Sequence, residues 1–414
     1  MDPIPLSLPF LMDGATGTEL QKRGMPLGVC TEQWALAHPD ALLDLQRGYV
    51  EAGASVLVTP TMGANRGALE KFGLQDHLDE YNRALTALTR RAAGDKALVA
   101  GDLGPTGLAI PPYGETPFEL LVGLYAEQAR VLDEAGVDLF LVESVMAMAE
   151  ARAAVLGIRE SGSAKPILVT CYCDEEGRTP TGTDVLAAAI VMQGMGVAAF
   201  GLNCVAPAVA EEQLARLHQY TDMPLIAEPS AGLPELVDGK PVYRANAAEF
   251  ARRFPNWAGA GVRIFGGCCG TDRSHIAALK GAMDGFDFAK LPKVEKDPDV
   301  IPCASEKEAR FSTPDVDVGE VIRCSPDLVE EILEAEEERP VGALKIAVLD
   351  TDDLEMFAEE QYAVRDALCI WSDVPELMEG ALRAYQGRAF YDGTADLEPA
   401  FLAEMAKKYG LVLL

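Results

Sequence analysis

The sequence predicts an α/β fold, a (β/α)8 TIM barrel followed by a small truncated α/β module. Three observations point there. Eight short apolar runs recur over about the first 285 residues, each followed by a longer amphipathic stretch. The runs are continuous rather than alternating, as expected of strands buried on both faces. Polar and cysteine-bearing residues gather at the ends of these runs, where a barrel builds its mouth. A doubly wound open sheet shares the alternation, but many polar run ends converge on one point more readily in a barrel.

The runs are Pro9–Asp13, Ser55–Thr59, Ala97–Asp102, Asp138–Ser144, Pro166–Cys171, Ala198–Cys204, Pro224–Glu228 and Gly261–Gly267. Between them lie segments such as PDALLDLQRGYVEAG and TPFELLVGLYAEQARVLDEAG, with Ala, Leu, Glu and Arg at helical spacing. Each ends near a glycine that can stop a helix in the left-handed conformation. The run ends carry Asp13-Gly14-Ala15-Thr16-Gly17, Thr59-Pro60-Thr61, Asp102–Gly107, Glu143-Ser144, Cys204, Glu228-Pro229-Ser230 and Gly266–Gly270.

Residues 1–288 are read as the barrel, 289–320 as a linker or wrapping segment, and 321–414 as the small module. The middle segment is rich in proline and charge and has no clear period. From residue 291 onward the chain carries 29 acidic against 12 basic side chains. It is still no disordered acidic arm. It holds apolar runs (Ala343–Leu349, Ala367–Trp371, Arg388–Tyr391, Leu411–Leu414) and helical stretches (Pro326–Glu338, Pro375–Tyr385, Pro399–Tyr409).

Composition narrows the function. Of 414 residues, 49% are hydrophobic and 24% charged, which is ordinary for a folded globular chain. The net charge of −30 repels phosphate backbones and anionic lipid headgroups, so neither nucleic acid nor a membrane is an expected partner. There is no run of 18 uncharged apolar residues, and no basic region precedes the apolar N-terminus, so neither a membrane span nor a secretory signal is expected. Nine cysteines in a chain too large to need disulfide staples point to the reducing cytoplasm, where clustered cysteines bind metal or do chemistry. The four histidines, His38, His77, His218 and His275, lie beside no other candidate ligand, so a His-based site finds little support.

Cys204 ends the sixth run, and the vicinal pair Cys268-Cys269 ends the eighth inside GGCCG. Three thiolates at one barrel mouth could hold zinc with a fourth tetrahedral position open, the arrangement of a catalytic site. The alternative is buried small hydrophobes, the reading adopted for Cys30, Cys171, Cys173, Cys303, Cys324 and Cys369. A thiol entering such an open position loses its proton, and three anionic sulfurs keep it electron-rich. Thiol alkylation is the chemistry these ligands suit, and it needs no protein-bound intermediate or separate general base. Asp13 and Glu143 could accept hydrogen bonds from an α-ammonium group, and the main-chain N–H groups of Gly14, Ala15 and Thr16 could take an α-carboxylate. Asp13 could instead cap a helix, and Glu143 could pair with an arginine.

At these residues the chain resembles the zinc-dependent homocysteine S-methyltransferase family. It is most similar to the homocysteine-binding barrel of cobalamin-dependent methionine synthases. The motifs DGATGTEL, TPTMGAN, GDLGPTG, DLFLVES, TGTD, GLNC, EPSAGLP and GGCCGTDRSHI occur in order over residues 9–285. The resemblance implies a methionine-forming enzyme with Zn2+ on Cys204, Cys268 and Cys269. It places homocysteine, or a similar small thiol, at Asp13, Gly14, Ala15, Thr16 and Glu143, with Ser230 near the metal. It also implies a methyl donor, either methylcobalamin on a separate corrinoid protein or a small onium compound; a non-catalytic thiol- or zinc-binding subunit of a corrinoid system is the alternative. The family usually has Asn at the positions of Pro60 and Ser230 and Thr or Tyr at that of Ser144. The tail resembles a piece of a pterin-binding barrel without its Gly-Glu-Arg opening signature, and folate binding is not expected of it.

Overall fold

The computed structural model describes residues 7–237, 240–338 and 342–414. All eight expected runs form strands of one parallel sheet: β1 (Phe10–Leu11), β2 (Val56–Val58), β3 (Leu98–Leu103), β4 (Leu139–Val145), β5 (Ile167–Cys171), β6 (Ala199–Asn203), β7 (Leu225–Glu228) and, after a short hairpin of β8 (Glu235–Val237) and β9 (Lys240–Val242), β10 (Val262–Phe265). The order β1-β10-β7-β6-β5-β4-β3-β2 runs round the barrel, and a parallel bridge between Met12 and Val56 brings its two ends together. Ser55 adds the hydrogen bond from its N–H to Leu11 O at 2.8 Å.

Two-sided burial explains the unbroken apolar runs. Leu139, Leu141, Leu168, Ala199, Ile226 and Ile264 fill the bore, while their neighbours Phe140, Val142, Val169 and Phe200 face the surrounding helices. Strand residues alternate in direction, but both directions are dry.

The helix Val185–Gly194 has no polar face before its last two residues, because it is covered twice. The barrel buries one side. The hairpin of β11 (Ile301–Ala304) and β12 (Ala309–Ser312), together with the helix Pro399–Tyr409, covers the other. At one point the backbones touch: a Cβ on Gly410, which sits at φ +78°, would lie 2.7 Å from the Gly194 carbonyl carbon.

That hairpin is how the proline-rich segment wraps. Beyond it lies a second parallel sheet of five strands in sequential order, β13 (Val321–Arg323), β14 (Leu344–Ala347), β15 (Leu368–Trp371), β16 (Phe390–Tyr391) and β17 (Val412–Leu413). Cys303 of the hairpin, with Val316 and Val318, packs on the sheet face formed by Cys369, Phe390 and Val412. Four of these strands follow the expected apolar runs. Strand β13 and the helix Thr351–Glu360 were not anticipated: the strand is three residues at an exposed edge, and the helix begins with Asp350 accepting from the N–H groups of Asp352 and Asp353 in a run dominated by acids.

The tail is fixed to the barrel by a buried cation. Arg152, on the barrel helix Met148–Glu160, is fully buried and donates to the carbonyls of Leu382 (2.8 Å) and Arg383 (3.1 Å) and to Gln386 Oε1 (3.2 Å). Those carbonyls end the tail helix Pro375–Ala384, so the guanidinium both caps that helix and meets the negative end of its dipole. Beside it Arg383 binds Glu119 and Glu160 of the barrel helices. At the hairpin turn Lys307 donates to Thr181 O (2.8 Å), and Glu308 pairs with Arg178.

Candidate active site

The three expected cysteines meet at the C-terminal mouth of the barrel. Their sulfurs all lie within 4.8 Å of one another. The loop after β7 brackets them through the main chain: Glu228 O accepts from Cys204 N–H (3.1 Å), Pro229 O from Cys268 N–H (2.9 Å), and Cys269 O from Ala231 N–H (2.9 Å). Cys204 and Ser144 are the two non-glycine residues with positive φ among those described, at +54° and +59°. Left-handed geometry costs such residues about 1–3 kcal/mol each and persists where the surroundings impose it. Beside them Asn203 donates its Nδ2 to Ser144 Oγ (2.6 Å) and to Glu143 Oε1 (2.8 Å), tying the ends of β4 and β6 together.

Two of the three sulfur separations match those of a tetrahedral thiolate-bound ion. A Zn–S length of about 2.3 Å puts ligand sulfurs about 3.8 Å apart. Cys204 and Cys269 are 3.6 Å apart and Cys268 and Cys269 4.0 Å. Cys204 and Cys268 are paired as a disulfide, leaving Cys269 free; this pair must be in the dithiol state before three thiolates can act together. The other cysteines do not line the cavity at the site, and burial pushes the thiols of Cys173, Cys303 and Cys369 up to about 12.

Beside the sulfurs lies a layer of acids from four strand ends: Asp13, Asp102 and Glu228, which are buried, and Glu143, which is partly exposed. Burial pushes all four carboxyls above the usual range. The charge of Glu143 raises Asp13, Asp102 and Glu228 further, while the Asn203 amide pulls Glu143 back. Asp102 and Glu143 stand close enough that the charge of Glu143 adds to burial in holding the Asp102 carboxyl well above the usual range. Among the described residues, Asp102 Oδ1 and Glu228 Oε2 have no hydrogen-bond partner. A cavity of about 470 Å³ opens over this layer, with Val29, Met62 and Phe72 on its outer wall and no lysine or arginine in its lining.

The structure brings most of the expected site residues to this cavity. Asp13 lines it while accepting from Val58 N–H at 3.0 Å. It caps no helix, since the next helix has Thr16 as its N-cap. Glu143 lines the cavity with Asn203, and no arginine, as its partner. Gly14, Ala15 and Thr16 line it too, but the Ala15 N–H is already given to Thr271 Oγ1 at 3.1 Å. Ser230 stands apart. Its hydroxyl turns to the carbonyls of Gly232 (2.8 Å) and Val205 (3.1 Å), and it is not part of the cavity wall. It stiffens the loop that brackets the cysteines.

Sequence reasoning missed Thr271 and Asn203, and placed Asp102 at a run end without giving it a role. Each sits inside a motif, GGCCGT, GLNC and GDLGPTG, where attention fell on the neighbours.

Fold and site together define a barrel enzyme whose chemistry centres on three cysteine sulfurs beside a layer of acids. Residues 10–283 match the family described as homocysteine S-methyltransferase, and the chain belongs to that family. It is 31% identical over 302 residues to the methionine synthase of Mycobacterium leprae (strain TN) and 32% over 289 residues to that of Mycobacterium tuberculosis (strain ATCC 25618 / H37Rv). Those matches take in 69% and 66% of this chain but only 25% and 24% of the relatives, so the chain matches about a quarter of their length. Among solved structures it is similar to the homocysteine methyltransferase MmuM from Escherichia coli, at 26% identity over 66% of this chain and 95% of that one. The TM-score is 0.57 for the metallated form and 0.56 for the oxidized form. Among the described residues no helix is long and apolar enough to cross a membrane.

Proposed function

We propose that this chain transfers a methyl group to the thiol of homocysteine, giving methionine, with zinc held by Cys204, Cys268 and Cys269. The observation that carries the reading is the spacing of the three sulfurs, two of whose separations are those of a tetrahedral thiolate site. Zinc there supplies an open position at which an entering thiol gives up its proton and stays nucleophilic.

The chain's residues bind and orient. Glu143 and Asp13 accept from the α-ammonium group, and the acid layer with its two donorless oxygens favours a cation at that end of the substrate. The Gly14–Thr16 turn faces the α-carboxylate, with the Ala15 amide committed to Thr271 and fixing the turn's shape. Ser230 acts through the loop it holds. The apolar outer wall keeps water from the path of the methyl group, and the reaction is one of positioning, thiolate and methyl carbon held in line.

For the donor, the resemblance of the barrel's motifs to those of cobalamin-dependent methionine synthases favours a methyl group on a corrinoid, such as one carried by a separate protein. A cavity wall without basic residues supports a small onium compound. Residues 1–288 then form the homocysteine-binding barrel, 289–320 the linker that wraps it, and 321–414 an accessory module.

Single-turnover demethylation of methylcobalamin by the zinc-loaded protein with L-homocysteine tests the reading. Methionine formation that vanishes in Cys204→Ser supports it. Absence of transfer from methylcobalamin, from a corrinoid protein and from onium donors alike, with zinc bound, sinks it.

A further inference from the structure

Resting on that reading, a question of aim follows. Glu143 is to receive an α-ammonium group, yet it shares the cavity wall with Asp13, Asp102 and Glu228. Like charges push a carboxylate outward, and the lining has no lysine or arginine to hold it back.

The backbone that carries Glu143 is irregular. In the ladder between β4 and β5, Val142 pairs with Val169 and Val145 with Cys171, so β4 holds one extra residue. Glu143 and Ser144 form this bulge, with Ser144 at φ +59°. A bulge re-aims the side chains it carries, and bulges gather next to active sites. One side chain reaches both bulged residues. Asn203 ends β6, two strands away in the sheet, and is fully buried. Its amide nitrogen has two hydrogens and gives one to Glu143 Oε1 at 2.8 Å and one to Ser144 Oγ at 2.6 Å. From β5, Thr170 Oγ1 accepts from the Ser144 N–H at the longer distance of 3.4 Å. Asn203 is not itself part of the cavity wall.

We propose that Asn203 is a positioning residue that makes the site selective for amino-bearing thiols, by holding the Glu143–Ser144 bulge so that the carboxylate faces the cavity. Asn203 engages Oε1, which also lies 3.9 Å from Cys268 Sγ. Oε2 is then the oxygen left to meet the ammonium group. Only an amide suits this place. An aspartate would have no hydrogens to give and would add another negative charge, and an alanine would leave both bulged residues unheld.

The test uses the full-length, zinc-loaded chain as wild type and as Asn203→Ala. Calorimetry measures the affinity of each for L-homocysteine and for 4-mercaptobutyrate, the same thiol acid without its amino group. Elemental analysis follows zinc. The expected result is homocysteine bound about tenfold more weakly by Asn203→Ala, with 4-mercaptobutyrate changed by less than about twofold. In the Glu143→Gln background the same substitution should weaken homocysteine by less than about threefold, because the charge it positions is already gone. Equal weakening of both thiols marks a merely structural role and overturns the proposal. So does an unchanged preference between them, or full additivity of the two substitutions. Should Asn203→Ala lose zinc, Ser144→Ala is read in its place. It removes one of the two anchors and should lower the preference for homocysteine about threefold, and an unchanged preference overturns the proposal. If wild type binds and methylates homocysteine while neither variant shifts the preference, this inference fails alone. If the zinc-loaded wild type binds no homocysteine, it falls together with the proposed function.

Discussion

Thr271 and Ala15 stand 256 positions apart in the chain and share a hydrogen bond of 3.1 Å, Ala15 donating its main-chain N–H to the Thr271 hydroxyl. The same hydroxyl donates to Cys268 O at 2.7 Å, and Tyr49 donates to Ala15 O at 2.7 Å. One buried side chain thus couples the turn proposed to hold the substrate carboxylate to the loop bearing two of the three cysteines. Thr271→Val keeps the shape and removes both bonds. We expect a loss of about 1–3 kcal/mol in stability and a higher KM for homocysteine than for the methyl donor. Thermal unfolding and steady-state kinetics measure the two.

Glu143→Gln removes the charge that raises its three acidic neighbours and weakens the contact proposed for the α-ammonium. A hydrogen bond to a charged group is worth about 1.5–3 kcal/mol, which is roughly a 10- to 150-fold rise in KM for homocysteine. Zinc content should be unchanged. A KM equal to wild type would remove Glu143 from substrate binding.

Cys204→Ser and Cys269→Ser should each lose zinc on dialysis and lose at least about a hundredfold in methyl transfer, since even outer partners of metal ligands cost 10- to 100-fold. Metal analysis beside activity separates this from a folding defect. Retained zinc with retained activity in either variant would refute the ligand set.

The buried acids make a pH prediction whose sign is fixed by the direction of their shifts. A carboxyl with a folded-state pKa above its unfolded value favours folding while protonated, and that contribution fades as pH rises from its unfolded pKa through its folded one. Asp102, raised first by burial and then by Glu143, should therefore oppose folding increasingly above about pH 4. Asp102→Asn should gain stability relative to wild type as pH rises from 4 to 8, without substrate. Denaturant midpoints across that range would show it. A constant difference would contradict the assignment.

Arg152→Ala should cost about 2–4 kcal/mol, from the lost volume and from helix-terminal carbonyls left without donors. Arg152→Met, which restores volume alone, should recover only part. The midpoint of thermal unfolding and the rate of proteolysis within 289–320 are the readouts.

Much of this was legible in the chain because its signals are local. Eight strands showed as unbroken apolar runs because the barrel buries both faces, and Cys204 and the Cys268-Cys269 pair showed because cysteine is rare and sits at run ends. What stayed hidden is non-local. Nothing near Thr271 tells that its partner is Ala15, and Ser230, expected near the metal, turns instead to Val205 and Gly232, main-chain carbonyls that leave no mark on sequence. Strand β13 is too short to show a period, and Arg152 reads as a surface cation until the tail covers it.

The twice-covered helix Val185–Gly194 bears on how the protein can be handled. Cutting after residue 288 would strip the hairpin and the helix Pro399–Tyr409 from it and show water a strip of valine, isoleucine and methionine. Such a fragment would keep every cysteine of the site and still tend to self-associate, so its insolubility would say nothing about catalysis. The barrel and its tail inherit solubility jointly, and should be expressed, stored and crystallised as one piece.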